Sequence, residues 1–328
     1  MKCIITIDKL GQDYSRGIAR LEAMGIETVW DATVHNTLDD EEVIRHCNSA
    51  DFVIASVENW SEKAIDTCKE LKMIARYGVG FDSVNIKAAT EHGVAVTTIP
   101  GVNSKGVAEH TVCLMMCAAR ELDRISAKLH KGIEDAHCVP QVTSGTIGII
   151  GTGSIGKTVI RYLSGMDVTL LAYDAYPDEE FAKQYNVSYV TLDELLSRSD
   201  AVSLHCPLLP ETRGLINKEK LAIMKPTAIL INTSRGGMIV TDDLADALRN
   251  GVIRYAALDV FEDEGGAEAM GRAFRDLENV VLTPHMASNT FKTLEDMLDA
   301  CIDSIEAYLN GAPMKSLLNP DYVNHKRA

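Results

Sequence analysis

Short apolar runs recur along the chain, and between them lie longer segments with an apolar residue at every third or fourth position. Up to about residue 100 the runs Ile4–Ile7, Ile26–Val29, Phe52–Ala55, Met73–Ala75 and Val94–Thr97 read as strands. The helical patterns between them stop at glycine, as Ala19–Met24 does before Gly25 and Ile86–His92 before Gly93. Glycine takes the left-handed conformation that ends a helix at little cost. Strands alternating with helices predict a parallel sheet covered on both faces.

A longer helix is expected from about Ser104 to Lys131. Its first half, Val107 to Ala119, is almost wholly apolar or small, which requires burial between domains or against another subunit. Residues 132–145, with Pro140, read as a surface loop. A second alternating array follows, with strands at Thr146–Ile150, Val168–Tyr173, Val187–Val190, Ala201–Leu204, Ala228–Ile231, Tyr255–Leu258 and Val280–Leu282. Thr191 to Glu194 form a capping box, Asn217 caps Lys218–Met224, and Thr241 caps the helix that stops before Gly251. The amphipathic segment Thr290–Leu309 ends at Gly311 and is expected to return to the first array. The expected domains are 1–101 with 290–328, and 102–289, with hinges near Pro100–Asn103 and Met286–Asn289 beside a cleft.

Composition narrows the class. A length of 328 residues suits two domains, and 46% hydrophobic with 24% charged residues is ordinary for a soluble globular protein. A formal net charge of −15 argues against nucleic acid, whose phosphates need a basic surface. The eight cysteines show neither Cys-x-x-Cys nor zinc spacing, so reduced thiols and no metal are expected. The apolar stretch after Met1 is too short for a signal peptide, and no run approaches the ~18 residues of a membrane span. A cytoplasmic protein without membrane partners is the expectation.

Gly151-Thr152-Gly153-Ser154-Ile155-Gly156 follows the apolar run Thr146–Ile150, opens a helical pattern, and precedes a second run closed by Asp174. That context makes it a dinucleotide fingerprint and not merely a glycine-rich turn. Gly151 allows the tight turn, Gly153 lets the backbone approach a pyrophosphate, and Gly156 lets the helix pack on the sheet. Asp174 can accept from both ribose hydroxyls and would repel a 2′-phosphate, so NAD is favoured over NADP. Arg161 lies inside the helix and does not alter that choice. The fold class is α/β, with two doubly wound parallel-sheet domains, the central one a Rossmann dinucleotide-binding domain.

Reduction of a keto acid needs a cation for the carboxylate and carbonyl, an acid for the new alkoxide, and exclusion of water. Arg235 stands just beyond a strand, where α/β ligands collect, and a guanidinium matches a carboxylate in two parallel hydrogen bonds. His285 stands beyond another strand, and Glu264 can hold its second ring nitrogen. An arginine in a surface salt bridge, a structural histidine and a solvated acidic loop at 262–264 are the plainer alternatives. His110 reads as support for the long helix or its partner contact, and His205 as part of a cofactor loop.

Taken together, Arg76–Gly80, the fingerprint, His205-Cys206-Pro207 with Glu211-Thr212-Arg213, Asn232–Gly237, Leu258–Glu264 and Thr283–His285 resemble the D-2-hydroxyacid dehydrogenase family, which includes phosphoglycerate dehydrogenase. The resemblance runs over nearly the whole length. It implies an NAD-dependent dehydrogenase with a split, flavodoxin-like substrate domain, in which Arg235 binds carboxylate, His285 is the acid/base and Glu264 its partner. It also implies cofactor contacts for Ser154, Ile155, Cys206, Pro207, Thr212 and Thr233, beside which His205 and Ser234 are expected to bind cofactor too, and assigns Asp259 to the nicotinamide carboxamide. Backbone N–H groups of Tyr77, Gly78, Val79 and Gly80 would meet the substrate carboxylate with Asn103 nearby, and the long helix would form the arm of a homodimer.

The chain departs from the family pattern in places. Gly265-Gly266 stand where proline usually follows the glutamate, and Gln141–Gly145 lacks the usual Leu-x-Gly-Lys-Thr wording. Near Ala55–Val57 there is no basic residue to hold a phosphate, and serine-type feedback is not expected. Trp60 either shapes the substrate pocket or packs. Other readings on the same fold are an NAD(H)-sensing binding protein like the co-repressors, phosphoglycerate dehydrogenase proper, or an oxidoreductase acting on formate or phosphite.

Overall fold

The computed structural model describes residues 1–265 and 268–325. The chain forms two units, Met1–Asn103 with the segment from Thr290 onwards, and Ser104–Asn289. Gly266, singled out above, lies outside the described residues. Among those residues no helix is long and apolar enough to cross a membrane.

In the first unit, β1 (Lys2–Ile5), β2 (Glu27–Trp30), β3 (Phe52–Ala55), β4 (Met73–Arg76) and β5 (Ala95–Thr97) form a parallel sheet in the order β2-β1-β3-β4-β5. Every residue of β3 and β4 is buried, so these strands carry no polar alternation. One face packs Ile5, Phe52 and Met73 against Leu294, Leu298 and Ile302 of the helix Phe291–Leu309. The last helix is therefore part of this unit, capped at its start by the Thr290 hydroxyl. The strand expected at Ile4–Ile7 begins two residues earlier and stops at Ile5. Asp31 N closes the ladder on Ile5 O at 2.9 Å, and the Trp30 ring nitrogen, not backbone, then donates to Ile7 O at 2.8 Å.

In the second unit, β6 (Thr146–Ile150), β7 (Thr169–Tyr173), β8 (Val187–Tyr189), β9 (Ala201–Leu204), β10 (Ile229–Asn232), β11 (Tyr255–Leu258) and β12 (Val280–Leu282) form a second parallel sheet. Its order is β12-β11-β10-β9-β6-β7-β8. The helix Ser104–Arg120 lays Ala108, Leu114, Met115 and Ala118 against Ile147, Ile149, Ile231 and Ala257 of this sheet. Thr191 and Asn217 cap their helices, with Glu194 N and Lys220 N donating to them, but the Glu194 carboxylate pairs with Arg198, so the expected capping box is formed only in its Thr191 half. The second of these helices ends at Ala222, short of the expected Met224.

Two expectations about helices are corrected. Thr241 is the first residue of its helix, with Val240 at the cap and no side-chain cap bond. The single helix expected from Ser104 to Lys131 is broken into Ser104–Arg120 and Leu122–Leu129 by Glu121, which is left-handed at φ 51°. A non-glycine residue there is strained. Glu121 is 6% exposed and its carboxylate meets Arg254 Nη1 at 3.0 Å, Arg124 Nη2 at 2.8 Å and His137 Nε2 at 3.1 Å. Those ion pairs offset the strain. Replacing Glu121 by Gln leaves the half-buried Arg254 guanidinium without its anion and Arg124 with Asp135 alone, which should lower stability by about 2–3 kcal/mol. Urea unfolding midpoints measure this, and a change below roughly 0.5 kcal/mol would show the cluster to be idle.

Candidate active site

The strand order of the second sheet reverses between β6 and β9, which are parallel, and the ends of those strands frame the crevice where ligands of open α/β sheets collect. The turn after β6 is built by exclusion. Gly151 has φ +93°, and a Cβ there would lie 2.6 Å from Cys206 N and 2.7 Å from the His205 carbonyl carbon. A Cβ on Gly156 would lie 2.0 Å from Gly151 O. A Cβ on Gly153 meets nothing within 4 Å, so the one open glycine is the one that a pyrophosphate would approach. Ser154 and Ile155 then start the helix Ser154–Leu163, whose first N–H groups carry no side-chain cap. The turn fits a dinucleotide phosphate.

Asp174 stands just after β7. Its Oδ2 accepts from Thr152 N at 2.6 Å and Thr152 Oγ1 at 2.9 Å, and its Oδ1 accepts from Tyr176 N at 2.8 Å. Burial opposes ionisation, but these donors outweigh it and hold the carboxyl below its ordinary range. Three of its acceptor positions are already used, so fewer remain for ribose than the two-hydroxyl expectation requires. Arg161 sits over the Phe181 ring at 5.5 Å.

After β9, His205 Nε2 lies 2.9 Å from Ser203 Oγ. Burial drives its imidazole down to about 3, so it is neutral at pH 7. Burial pushes the Cys206 thiol up to about 11. Thr212 Oγ1 donates to Pro207 O at 2.6 Å and accepts from Leu209 N at 2.7 Å, so its hydroxyl shapes this loop.

After β10, the Thr233 hydroxyl is buried 2.8 Å from Thr111 Oγ1, which itself donates to Val107 O. Thr233 thus donates inward, away from the expected cofactor contact. Ser234 donates through both N and Oγ to Asn232 Oδ1, and Asn232 Nδ2 donates to Arg235 O at 2.9 Å. Arg235 is half-buried, with Nη1 2.7 Å from Ser234 O. A Cβ on Gly236 would lie 1.9 Å from the Phe261 carbonyl carbon, so the loops after β10 and β11 touch through their backbones.

That contact brings charges together. His285 Nδ1 lies 2.7 Å from Glu264 Oε2, while Glu264 Oε1 accepts from Phe261 N at 3.0 Å. Burial opposes ionisation of Glu264, but the hydrogen bond and charge of His285, the Phe261 amide and the Arg235 charge prevail and lower its pKa. The His285 side chain is 41% exposed, and Nε2 is the ring nitrogen left over for a substrate.

Beneath this pair lies Asp259, with no solvent exposure. Its Oδ1 accepts from Thr283 Oγ1 at 2.6 Å and Met286 N at 2.9 Å, and its Oδ2 from Ala287 N at 2.9 Å. His110 Nε2 stands 3.2 Å from Thr283 Oγ1 and 3.5 Å from Asp259 Oδ1. The Asp259 side chain is thereby spent on the turn that carries His285, whatever else it meets. Sequence reasoning placed His110 with the long helix and gave Thr283 no role; only packing of that helix against β12 joins them.

The remaining sequence candidates lie in the first unit. Tyr77 Oη donates to Leu294 O at 2.6 Å, and Gly80 O accepts from Arg76 Nε at 3.0 Å. Gly78 O accepts from Ile99 N at 3.1 Å, Val79 is exposed, and Asn103 Oδ1 is buried with no partner among the described residues. Trp60 packs: it is fully buried, and its ring nitrogen donates to Glu58 Oε1 at 3.1 Å. No cluster of metal-binding side chains occurs among the described residues.

Residues 112–287 match the family model described as D-isomer specific 2-hydroxyacid dehydrogenase, NAD binding domain. The chain belongs to that family. It is 35% identical over 298 residues to the D-3-phosphoglycerate dehydrogenase of Methanocaldococcus jannaschii, covering 90% of this chain and 56% of that protein. It is 37% identical over 267 residues to the glyoxylate reductase of Korarchaeum cryptofilum, covering 80% of each. The structure of D-lactate dehydrogenase from Aquifex aeolicus, complexed with NAD and lactic acid, superposes with a TM-score of 0.85 at 28% identity, covering 97% of this chain and 99% of that one. The chain spans about half the length of the phosphoglycerate dehydrogenases it matches.

Within this dehydrogenase family member the Glu264–His285 bond has a pH signature. A depressed folded pKa stabilises above the unfolded value and is lost as pH falls through the folded one. Relative to Glu264→Gln, the wild type should be more stable by about 1 kcal/mol above roughly pH 5, with the difference shrinking in acid. Urea midpoints of the two proteins across pH 3 to 8 test this, and a difference independent of pH would contradict it.

Proposed function

We propose that the chain is an NAD-dependent dehydrogenase that interconverts a 2-keto acid and the corresponding (R)-2-hydroxy acid. The observation that carries the reading is the 2.7 Å contact of His285 Nδ1 with Glu264, beside the Arg235 charge and on the sheet whose β6 turn suits NAD. When bound, the nicotinamide supplies or takes the hydride exchanged at substrate C2. Arg235 holds the carboxylate and polarises the carbonyl oxygen through its fixed fork of N–H donors. Ionised Glu264 accepts from Nδ1–H of His285 and fixes the ring, so that Nε2 faces the oxygen at C2 and gives it a proton. In the oxidative direction the same nitrogen takes that proton back.

Asp259, with Thr283 and His110, positions the imidazole from below. The Tyr77–Gly80 backbone and Asn103 are assigned to the substrate carboxylate on the family resemblance. The same reading includes the cytoplasm and a homodimer, for which the exposed Leu122, Leu129 and Ile133 at the end of the long helical arm offer an apolar face. The relatives' names span glyoxylate, hydroxypyruvate, lactate and phosphoglycerate chemistry, so the substrate is a small 2-keto acid.

NADH oxidation against a panel of 2-keto acids, 3-phosphohydroxypyruvate included, tests the activity. Saturable turnover is expected with at least one member, and tight NADH binding with no turnover would contradict the reading. His285→Ala should lower that turnover by about 10²–10⁴-fold while leaving NADH binding intact. Full activity in the variant would remove His285 from the mechanism.

A further inference from the structure

The acid that follows β7 is held by two hydroxyl groups that the proposed chemistry leaves unused. Tyr189 Oη lies 2.9 Å from Thr152 Oγ1, and Thr152 Oγ1 lies 2.9 Å from Asp174 Oδ2. Tyr189 Oη also accepts from Asp178 N at 3.1 Å. A carboxylate only accepts, so the Thr152 hydroxyl donates to Asp174. Its oxygen then accepts, and the Tyr189 hydroxyl is the donor that reaches it. Every proton in the chain Tyr189–Thr152–Asp174 is therefore directed toward the carboxylate. Thr152 N adds a second bond to the same oxygen at 2.6 Å.

Two consequences follow for a dinucleotide. Asp174 Oδ2 is filled, and Oδ1, which already accepts from Tyr176 N at 2.8 Å, keeps one acceptor position for a ribose hydroxyl. A carboxylate fixed in this way cannot swing aside for a 2′-phosphate. Lys157, whose charge also acts on Asp174, is paired with Asp178 and lies over the Phe181 ring at 5.2 Å. That cation is thus already engaged.

We propose that Thr152 and Tyr189 are positioning residues for cofactor choice: their hydroxyl chain fixes the Asp174 carboxylate where it accepts a ribose hydroxyl and repels a 2′-phosphate. The proposal deepens the NAD-dependent reading and rests on Asp174 as the ribose acceptor. A carboxylate held by directed donors is rigid, and rigidity is what converts a charge into discrimination between two ligands.

Fluorescence titrations of the full chain with NADH and with NADPH test it, using wild type, Thr152→Val, Tyr189→Phe and Asp174→Asn. Both hydroxyl variants keep the shape of the side chain they replace. The ratio of the NADPH to the NADH dissociation constant should fall about tenfold in Thr152→Val, the effect of one charge-assisted hydrogen bond, and by a smaller factor in Tyr189→Phe. A general structural role would weaken both cofactors alike, and an unchanged ratio in the two hydroxyl variants overturns the proposal. Asp174→Asn separates the two levels. If it narrows the ratio while the hydroxyl variants do not, only the hydroxyl chain is wrong; if it leaves the ratio unchanged, Asp174 is not the selector and both readings fall.

Discussion

A carboxylate sealed from water holds the reacting end of the second unit together. Asp259 has no exposure, and burial of an ion without partners costs several kcal/mol. Thr283 Oγ1, Met286 N and Ala287 N meet it within 2.9 Å, with His110 at 3.5 Å. These donors prevail over burial, and the carboxyl lies below its ordinary range. Three of the four belong to the turn around His285, so the histidine inherits its place from the buried acid. His285 itself has φ 49°, and its N–H donates to Asp259 O at 2.8 Å and Thr283 O at 3.0 Å. Such a backbone is tolerated where the surroundings over-determine it.

The parallel sheet explains why the chemistry gathers where it does. β9, β10 and β11 are buried along their whole length, which leaves no polar side chain free to act from within them. The one polar side chain inside β9, Ser203, is spent on His205, and exposed polar groups stand where the strands end. The turns after β6, β9, β10, β11 and β12 carry the fingerprint, the His205 loop, Arg235, Glu264 and His285 in that order. Gly151 against Cys206 and Gly236 against Phe261 are the backbone approaches that draw neighbouring turns together. Larger residues at those two glycines would push apart the groups that need to cooperate.

Much of this was legible in the sequence because its cause is local. Buried parallel strands read as unbroken apolar runs, and the Thr191 and Asn217 caps read from side chains within three residues of their donors. The fingerprint read well because its place between a strand and a helix is local, although the atoms that crowd Gly151 belong to His205 and Cys206 and Gly153 is crowded by none. What escaped rests on distant partners. Glu121 breaks the long helix through an ion pair with Arg254, 133 residues away, and His110 meets Thr283 173 residues on. The inward turn of Thr233 toward Thr111 and the filling of Asp174 Oδ2 were likewise hidden, since a sequence shows which groups can bond but not which donors reach them first.

The proposed hydride transfer, completed by a proton from His285, would leave an isotopic record. The most direct measurement uses NADH carrying two deuterium atoms at nicotinamide C4, with the keto acid that supports turnover, followed by mass and chiral analysis of the product. One deuterium at C2 of the (R)-2-hydroxy acid is the predicted result. A product whose C2 hydrogen comes from water, or one of (S) configuration, would contradict the proposed placement of cofactor, Arg235 and His285 around the carbonyl.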